Sequence, residues 1–389
     1  LNTGEVPTVR AFQRKFPRYK LETVKLDGEV VVGTEENLKF WCDELRLKVK
    51  HNTIADLVDS VAVNLQDFKT EEAYAALKQT IAFVENEVAV TSDVDLTKDT
   101  EGRIQAYLER KNNKGMRGIP TGIHHLDYIL KGLEKETLTT LIANTGVGKT
   151  WLEILIGANC QLQNYRVLQF VTEMSEEIMR DRYEAVLFAK CYKTLNYNAF
   201  KSGALSLEVE KQYFEFLEND LPNFEPLIIA TATGVMGVSA AIDKYEPDIV
   251  LIDSAYLMED DQGAKDDWLR VAHITRDLKK LAKRTKIPIF INTQADKNTS
   301  KKTGPELGSI MYTQAIGQDS DNVLALFRDE IMINDREMGL KVLKQREGTL
   351  GKLTLNWDFD TMNFSEIYMQ QTDDDSEIPD NTLSVLDDD

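Results

Sequence analysis

Residues 143–150 read Ala-Asn-Thr-Gly-Val-Gly-Lys-Thr, and this stretch decides the fold of the chain. It follows an apolar run, residues 138–143, that predicts a buried strand. It leads into an apolar segment, residues 151–162, that predicts a helix. A glycine-rich loop between a strand and a helix is the context of a phosphate-binding loop, where backbone N–H groups and the helix N-terminus surround phosphate oxygens. The alternative, a glycine turn that arose by chance, would have no such context.

The positions of this loop predict a nucleotide site that also holds Mg²⁺. Gly146 and Gly148 permit backbone conformations that other residues avoid. Lys149 reaches the outer phosphates, and the hydroxyl of Thr150 can ligate Mg²⁺. Ala143 occupies a position where glycine is commoner, which is a tolerated variant. The predicted nucleotide-binding residues are Ala143, Asn144, Thr145, Gly146, Val147, Gly148, Lys149 and Thr150.

Length and composition indicate a globular chain that does not cross a membrane. No uninterrupted run of about 18 apolar residues occurs, and 389 residues are enough for two domains. Three widely spaced cysteines, Cys42, Cys160 and Cys191, indicate a reducing compartment rather than a disulfide framework or a zinc site. Since residue 1 is Leu rather than Met, we expect the numbering to begin inside a longer chain, so an absent signal peptide excludes little.

The formal net charge of −19 is unusual for a protein that binds nucleic acid. Part of it lies in residues 373–389, which contain eight acidic residues and no basic residue. Without these eight charges the net charge is still −11. Any contact with nucleic-acid phosphates therefore needs a local basic surface, because the overall field repels them.

Changes of pattern divide the chain into four parts. A turn signal at Asp27-Gly28 favours a short hairpin, and helical patterns follow over 35–50, 54–65 and 71–88. The predicted parts are a helical N-terminal domain (1–90), a polar linker containing one short helix with an apolar face (91–117), an α/β domain (118–371) and an acidic disordered tail (372–389).

From residue 118 onward, strand patterns alternate with long helical patterns such as 267–286. This alternation indicates a mostly parallel sheet covered by helices on both faces. The last two strands have short connections, which favours antiparallel pairing at one edge. The predicted strands are 138–143, 167–171, 227–230, 249–252, 287–293, 323–327, 340–343 and 353–357.

Carboxylates follow two of these strands and predict roles around a bound nucleotide. Asp253 ends the run 249–252, which is where P-loop ATPases hold Mg²⁺; the alternative is a strand-terminal aspartate that caps a turn. Glu173 follows the strand 167–171. In a sheet where that strand is adjacent to the strand of the phosphate-binding loop, Glu173 can polarise the attacking water as general base. The alternative is a surface glutamate before a helix N-cap at Ser175.

Three polar residues after later strands complete the predicted site. The amide of Gln294 can hydrogen-bond the third phosphate and link nucleotide state to the loop that follows. Lys344 and Arg346 can stabilise transition-state charge on the phosphoryl group. If they cannot reach the nucleotide of their own chain, we expect them to serve that of a neighbouring copy.

Together these strings resemble the DnaB-type replicative hexameric helicases, whose motor is a RecA-like ATPase. By this resemblance Glu173 is the catalytic glutamate and Asp253 the metal-side aspartate, while Lys344 and Arg346 form a finger pair that completes the site of the neighbouring subunit. Residues 1–90 resemble the helical collar of the family. The matching strings are 118–123 with Leu126-Asp127, 143–150, 170–174, 249–258, 274–283 with Gln294, 315–321, 327–330 and 344–346, and residues 100–113 resemble a linker helix that docks on an adjacent motor domain.

The resemblance implies an ATP- and Mg²⁺-dependent enzyme that translocates 5′→3′ on single-stranded DNA. It implies a homohexameric ring that unwinds the duplex at a replication fork. It also implies a cytoplasmic protein, in a bacterial cell or a phage-infected host, with a primase and a helicase loader as expected partners. The compact collar and an altered DNA grip would suit a bacteriophage enzyme.

The residues that contact DNA depart from the family pattern. Positions that usually carry a basic residue and a glycine read Met311 and Gln314 in this chain. The other loop expected to face a central channel, residues 259–267, is acidic apart from Lys265. We expect the DNA grip in the polar loop after Gln294, with a solvated lysine-rich turn as the alternative. The predicted DNA-binding residues of that loop are Lys297, Lys301 and Lys302.

Two other functions share parts of this pattern. A RecA/RadA-type recombination ATPase would form filaments on DNA, but the helical N-terminal part and the linker helix favour a ring. A non-enzymatic loader or regulatory ATP-binding module would have no use for Glu173, Lys344 and Arg346.

Overall fold

The structure is a computed structural model of the chain. It separates into two compact units, Leu1–Thr100 and Glu101–Asp389. Within the described residues, no helix is long and apolar enough to cross a membrane. The residues that the structure describes are 25–26, 29–30, 38–70, 72–74, 76–77, 97–113, 115–192, 194–264, 266–295, 304–307, 313–346 and 348–367.

The first unit contains the hairpin that the turn signal predicts and one long helix. Strands β1 (Lys25–Leu26) and β2 (Glu29–Val30) pair antiparallel. Helix α1 (Leu38–Gln66) runs without a break through both of the first two helical patterns, so the two predicted helices are one. The third pattern is helical where it is described, at residues 72–74 and 76–77, and otherwise lies outside the described residues.

Helix α2 (Thr100–Asn112) starts at the last residue of the first unit and lies otherwise in the second, and Ile104, Tyr107 and Leu108 on it are exposed. The remaining elements form one α/β domain. In chain order they are α3 (His124–Leu130), β3 (Leu138–Ala143), α4 (Lys149–Leu162), β4 (Val167–Val171), α5 (Glu176–Tyr192), α6 (Tyr197–Lys201), α7 (Leu207–Glu215), β5 (Leu227–Ala230), α8 (Val235–Tyr245), β6 (Ile249–Asp253), α9 (Asp267–Thr285), β7 (Ile289–Gln294), α10 (Thr313–Asp319), β8 (Asn322–Phe327), α11 (Glu330–Asp335), β9 (Glu337–Gln345), β10 (Gly351–Asn356) and β11 (Glu366–Ile367).

The described strands of this domain form one sheet in the order β11-β10-β9-β8-β3-β7-β6-β4-β5. All strands from β8 to β5 pair in parallel. Strands β9, β10 and β11 add an antiparallel edge. Both the mostly parallel sheet and the antiparallel pairing of the last two predicted strands are therefore confirmed.

Helices cover both faces of the sheet, as the strand–helix alternation predicts. Leu141 of β3 and Leu251 of β6 pack in one core with α4 and α5. Leu138 of β3 and Ile252 of β6 pack in a second core with α8 and α9. Since successive side chains of a strand point to opposite faces, each central strand contributes to both cores and is buried over almost its whole length.

The order of the central strands corrects one expectation. Strand β4, which precedes Glu173, is not adjacent to β3, because β7 and β6 lie between them. The crossover through α4 passes over the positions that these two strands fill later in the chain, so neighbours in sequence are not neighbours in the sheet. The carboxyl ends of all these parallel strands nevertheless lie at the same edge, where ligands bind in open α/β sheets.

Candidate active site

The phosphate-binding loop occupies residues 144–148, between the end of β3 and the start of α4. Gly146 has a φ of 78° and Gly148 a φ of 121°, values that residues with a side chain rarely adopt. A Cβ on Gly148 would also lie 2.8 Å from Cζ2 of Trp357. The backbone therefore requires both glycines, as the sequence predicts.

Thr150 and Asp253 meet beneath this loop. Oγ1 of Thr150 donates a hydrogen bond to Oδ2 of Asp253 over 2.6 Å, and Nδ2 of Asn292 donates to Oδ1 over 2.6 Å. Burial raises the pKa of Asp253, and the hydrogen bonds from Thr150 and Asn292 oppose that rise. A hydroxyl and a carboxylate oxygen are ligands of the kind that Mg²⁺ accepts, so the two side chains fit the predicted metal.

Lys149 is the buried cation of the site, with 8% of its surface exposed. Burial lowers the pKa of Lys149, while the charges of Glu173, Asp253 and Glu153 raise it. In the part of the chain that the structure describes, Lys149 forms no ion pair. Its ammonium group therefore lies among carboxylates without a direct partner, and it is available to a phosphate.

Glu173 lies close to the other residues of the nucleotide site, although the strand that precedes it, β4, is not adjacent to β3. It lies just beyond β4, at the carboxyl edge of the sheet. Its Oε1 accepts hydrogen bonds from Oγ of Ser254 over 3.0 Å and from the hydroxyl of Tyr256 over 2.7 Å. Both donors belong to the turn after β6, so the neighbouring strand positions the carboxylate.

Gln294 ends β7, which is adjacent to the strand of the loop, and its register partner is Ala143. Its Oε1 accepts a weak hydrogen bond from Oγ1 of Thr145 in the loop, over 3.4 Å. Its Nε2 donates to the hydroxyl of Tyr256 over 2.6 Å. The structure thus places Gln294 beside the phosphate-binding loop.

A buried polar network under the site was not foreseen from the sequence. Glu153 is 1% exposed and accepts hydrogen bonds from Nε2 of Gln169 over 2.6 Å and from Nδ2 of Asn292 over 2.8 Å. The hydroxyl of Tyr183 donates to Oε1 of Gln169 over 2.7 Å. Burial raises the pKa of Glu153 well above its ordinary value, and the charge of Asp253 adds to the rise. The available signal was a polar residue, Glu153, Gln169 or Asn292, inside each of three largely apolar segments.

Lys344 and Arg346 lie at the level where the parallel strands begin, whereas the phosphate-binding loop lies where those strands end. Lys344 pairs with Val323 near the start of β8, and Val323 pairs with Thr140 near the start of β3. About 10 Å of strand separates this level from Ala143, where β3 ends and the phosphate-binding loop begins. The two cations therefore cannot reach the loop of their own chain.

The two cations have different surroundings. Nζ of Lys344 donates to the carbonyl oxygens of Gly317 and Ser320, each over 2.6 Å, and so satisfies the end of α10. Nε of Arg346 lies 3.2 Å from Oδ1 of Asp321, and the arginine side chain is 55% exposed. Arg346 is therefore the one of the pair that is presented to solvent.

The predicted DNA-binding residues lie outside the described part of the chain. Gln314 belongs to α10. The acidic loop folds on itself, since the carboxylate of Asp260 accepts hydrogen bonds from the backbone N–H groups of Gln262 and Ala264 and lies 2.9 Å from Nδ1 of His273. The residues that lie outside the described part of the chain are Lys297, Lys301, Lys302, Met311 and Lys265.

The geometry of the site defines a class of protein. The phosphate-binding loop lies at the carboxyl ends of a mostly parallel sheet, and around it lie the buried Lys149, the hydroxyl of Thr150 and the carboxylates of Asp253 and Glu173. This is the arrangement of a P-loop ATPase domain with a RecA-like fold. Residues 118–366 match the family described as DnaB-like helicase C terminal domain. The chain belongs to this family.

The individual relatives have low sequence identity to this chain, but the matches extend over most of its length. A probable replicative DNA helicase of Trieres chinensis is 24% identical over 324 residues, which cover 79% of this chain and 70% of that protein. The replicative DNA helicase DnaB of Haemophilus influenzae is 23% identical over 292 residues, which cover 72% of this chain and 61% of that protein. These relatives favour a replicative helicase over the recombination ATPase, and an ATP-dependent enzyme over a non-enzymatic module.

Two solved structures share the fold. One is an isolated ATPase domain, which aligns with a TM-score of 0.63 and 19% identity, covering 71% of this chain and all of that one. The other is a DnaB-like replicative helicase, described together with its interactions with primase, which aligns with a TM-score of 0.61 and 18% identity, covering 88% of this chain and 82% of that one. At these identities the likeness concerns the fold alone, and it agrees with the predicted RecA-like domain.

Proposed function

We propose that this chain is an ATP-driven replicative helicase that translocates 5′→3′ on single-stranded DNA as a homohexameric ring and unwinds duplex DNA at a replication fork. One observation supports the shared site most strongly: the phosphate-binding loop and Arg346 lie at opposite edges of one sheet. Each subunit therefore contains both a phosphate-binding loop and an Arg346, but its own Arg346 cannot reach its own loop. Subunits arranged head to tail bring each loop opposite the Arg346 of a neighbour, and such an arrangement can close into a ring.

The ligands of this site are ATP and Mg²⁺. When bound, Mg²⁺ neutralises phosphate charge and ATP supplies the phosphoryl group that passes to water. The backbone N–H groups of the loop hold the phosphates, and Lys149 binds the outer ones. Thr150 and Asp253 hold the metal. Glu173, whose Oε1 is engaged by its neighbours, accepts the proton of the attacking water.

Arg346 of the partner subunit stabilises the charge that develops on the transferred phosphoryl group. Its exposure and its position at the amino edge of the sheet support this role. Lys344 acts beside it, as the second member of the finger pair. Because Lys344 also satisfies the end of α10, it ties the strand that carries Arg346 to the adjacent helix.

Hydrolysis is coupled to DNA through the segment that follows β7. Gln294 contacts the phosphate-binding loop, and the backbone N–H of Ala295 donates to the carbonyl oxygen of Ala143 over 2.9 Å. A change at the third phosphate therefore acts directly on the start of this segment. The residues of the segment that grip DNA phosphates are Lys297, Lys301 and Lys302.

The partners of the ring are single-stranded DNA, a primase and a helicase loader. One solved relative is described with its interactions with primase, which supports the choice of primase for this chain. The proposal places the protein in the cytoplasm, of a bacterial cell or of a host infected by the bacteriophage that encodes it.

The proposal is tested by ATPase turnover with and without single-stranded DNA, together with electron microscopy of the ATP-bound protein. We expect turnover that DNA stimulates, loss of turnover in Glu173→Gln, and closed six-membered rings. Filaments on DNA would support a recombination ATPase instead. Normal turnover in Glu173→Gln would exclude this carboxylate as the general base.

A further inference from the structure

Tyr256 stands between two residues of the proposed site. It belongs to the short turn after β6, and its hydroxyl lies 2.7 Å from Oε1 of Glu173 and 2.6 Å from Nε2 of Gln294. One side chain therefore bridges the residue that activates water and the residue that contacts the phosphate-binding loop. No motif identified in the sequence includes a role for this tyrosine.

The directions of these hydrogen bonds follow from the groups involved. Nε2 of Gln294 can only donate, so the tyrosine oxygen accepts from it and the tyrosine proton points to Glu173. Burial and the bond to Glu173 raise the pKa of Tyr256 to about 12, so the hydroxyl keeps its proton at neutral pH. Among the described residues, Oε2 of Glu173 accepts no hydrogen bond, which leaves this oxygen for a water molecule.

The ring of Tyr256 is held by the core of the domain. It packs against a buried cluster that includes Ile142 of β3, Val271 of α9 and Ile316 of α10. Because the tyrosine packs against this cluster, the fold determines where the hydroxyl lies. Glu173 and Gln294 are more exposed than the residues of that cluster, so they can reorient around this point.

We propose that Tyr256 is a positioning residue that makes the orientation of Glu173 depend on Gln294. The inference rests on the function proposed above for these two residues. When the Gln294 amide turns toward a third phosphate, Tyr256 loses a donor and its hydrogen bond to Glu173 changes with it. Since coupling between sites is reciprocal, a DNA-induced shift of the segment after Ala295 acts on Glu173 through the same link.

The variant Tyr256→Phe removes the hydroxyl and keeps the ring in its core contacts. We expect the DNA-stimulated kcat for ATP to fall about ten-fold, as for the loss of one hydrogen bond to a charged group, with an unchanged KM for ATP. The ratio of DNA-stimulated to basal kcat should fall as well, because the link to Gln294 is broken. The variant Gln294→Ala should lower this ratio in the same way, and the double variant should lower it no further.

Two matched variants separate coupling from simple support. Ser254→Ala removes the other hydrogen bond to Oε1 of Glu173, so it should lower basal and stimulated kcat equally and leave their ratio unchanged. Tyr128→Phe removes the same atom from an exposed tyrosine of α3 and should match the unmodified protein in kcat, KM and melting temperature.

The outcomes distinguish this inference from the function on which it rests. If the ratio of DNA-stimulated to basal kcat is unchanged in Tyr256→Phe, whether or not both kcat values fall, the coupling role is overturned. An inactive Glu173→Gln variant would still uphold the proposed ATPase site. Normal turnover in Glu173→Gln would overturn both. If Tyr256→Phe melts at a lower temperature, the comparison of Gln294→Ala with the double variant decides the question: equal ratios support the link, and a further fall in the double variant refutes it.

Discussion

The variant Arg346→Ala is expected to bind ATP normally and to hydrolyse it about 10³- to 10⁵-fold more slowly, which is the range of a trans-acting arginine. The fold should survive this change, because Asp321 keeps its hydrogen bonds from Lys279 over 2.6 Å and from the backbone N–H of Leu138 over 2.8 Å. The lost ion pair has an arginine that is 55% exposed, so it contributes at most about 1 kcal/mol. Equal melting temperatures and equal ATP affinities would therefore accompany the loss of turnover.

Mixing this variant with Lys149→Ala tests whether the site is shared between subunits. Neither variant alone has a complete site. In rings assembled at random from equal amounts, about one interface in four joins an intact Lys149 to an intact Arg346. ATPase activity should return to about a quarter of the normal value if the sites turn over independently.

A negative control uses the same residues. A mixture of Lys149→Ala with the Lys149→Ala/Arg346→Ala double variant has no subunit with Lys149, so it should show no ATPase activity. Normal ATP hydrolysis by Arg346→Ala alone would refute the reasoning, because the arginine would then complete no site in either subunit.

Three further variants test the geometry of the nucleotide site. Gly148→Ala should abolish nucleotide binding and cost about 1–3 kcal/mol of unfolding free energy, because a φ of 121° and the close approach of Trp357 exclude a side chain; normal ATP binding and melting would contradict this. Asp253→Asn should raise the Mg²⁺ concentration for half-maximal ATPase about 10- to 100-fold, and an unchanged Mg²⁺ titration would remove Asp253 from the metal site. Burial raises the pKa of Glu153 in the native state above its value in the unfolded state. Between these two pKa values the native state binds more protons than the unfolded state, so the free energy of unfolding falls as the pH rises through that window. Melting temperatures of the Mg²⁺-free protein should show this decline, and Glu153→Gln should lack it; parallel pH profiles of the two proteins would show that Glu153 titrates normally.

The parts of the fold that have local signals could be predicted from the sequence. The strand and helix around residues 143–150 follow from apolar runs on either side of a glycine-rich loop, and β3, β4 and β5 have the predicted bounds. Asp253, Glu173 and Gln294 converge because each follows a parallel strand, and such strands end at one edge of a sheet.

What depends on contacts between distant elements could not be predicted. The position of β4, which two strands separate from β3, is decided by the crossover rather than by any local pattern. Tyr256 gains its place only where the turn after β6 meets β7 and the residues after β4. Lys344 satisfies the end of α10 because β9 returns antiparallel beside β8, and a single lysine in a strand carries no sign of that contact.

Unwinding of forked DNA decides whether the proposed helicase function is correct. A fork with a single-stranded 5′ tail on the strand to be encircled should release its labelled partner strand in the presence of ATP and Mg²⁺. A substrate with only a 3′ tail should not be unwound, and Glu173→Gln should release nothing from either substrate. ATP hydrolysis that DNA stimulates, without strand release from any fork at concentrations where rings form, would contradict the proposal.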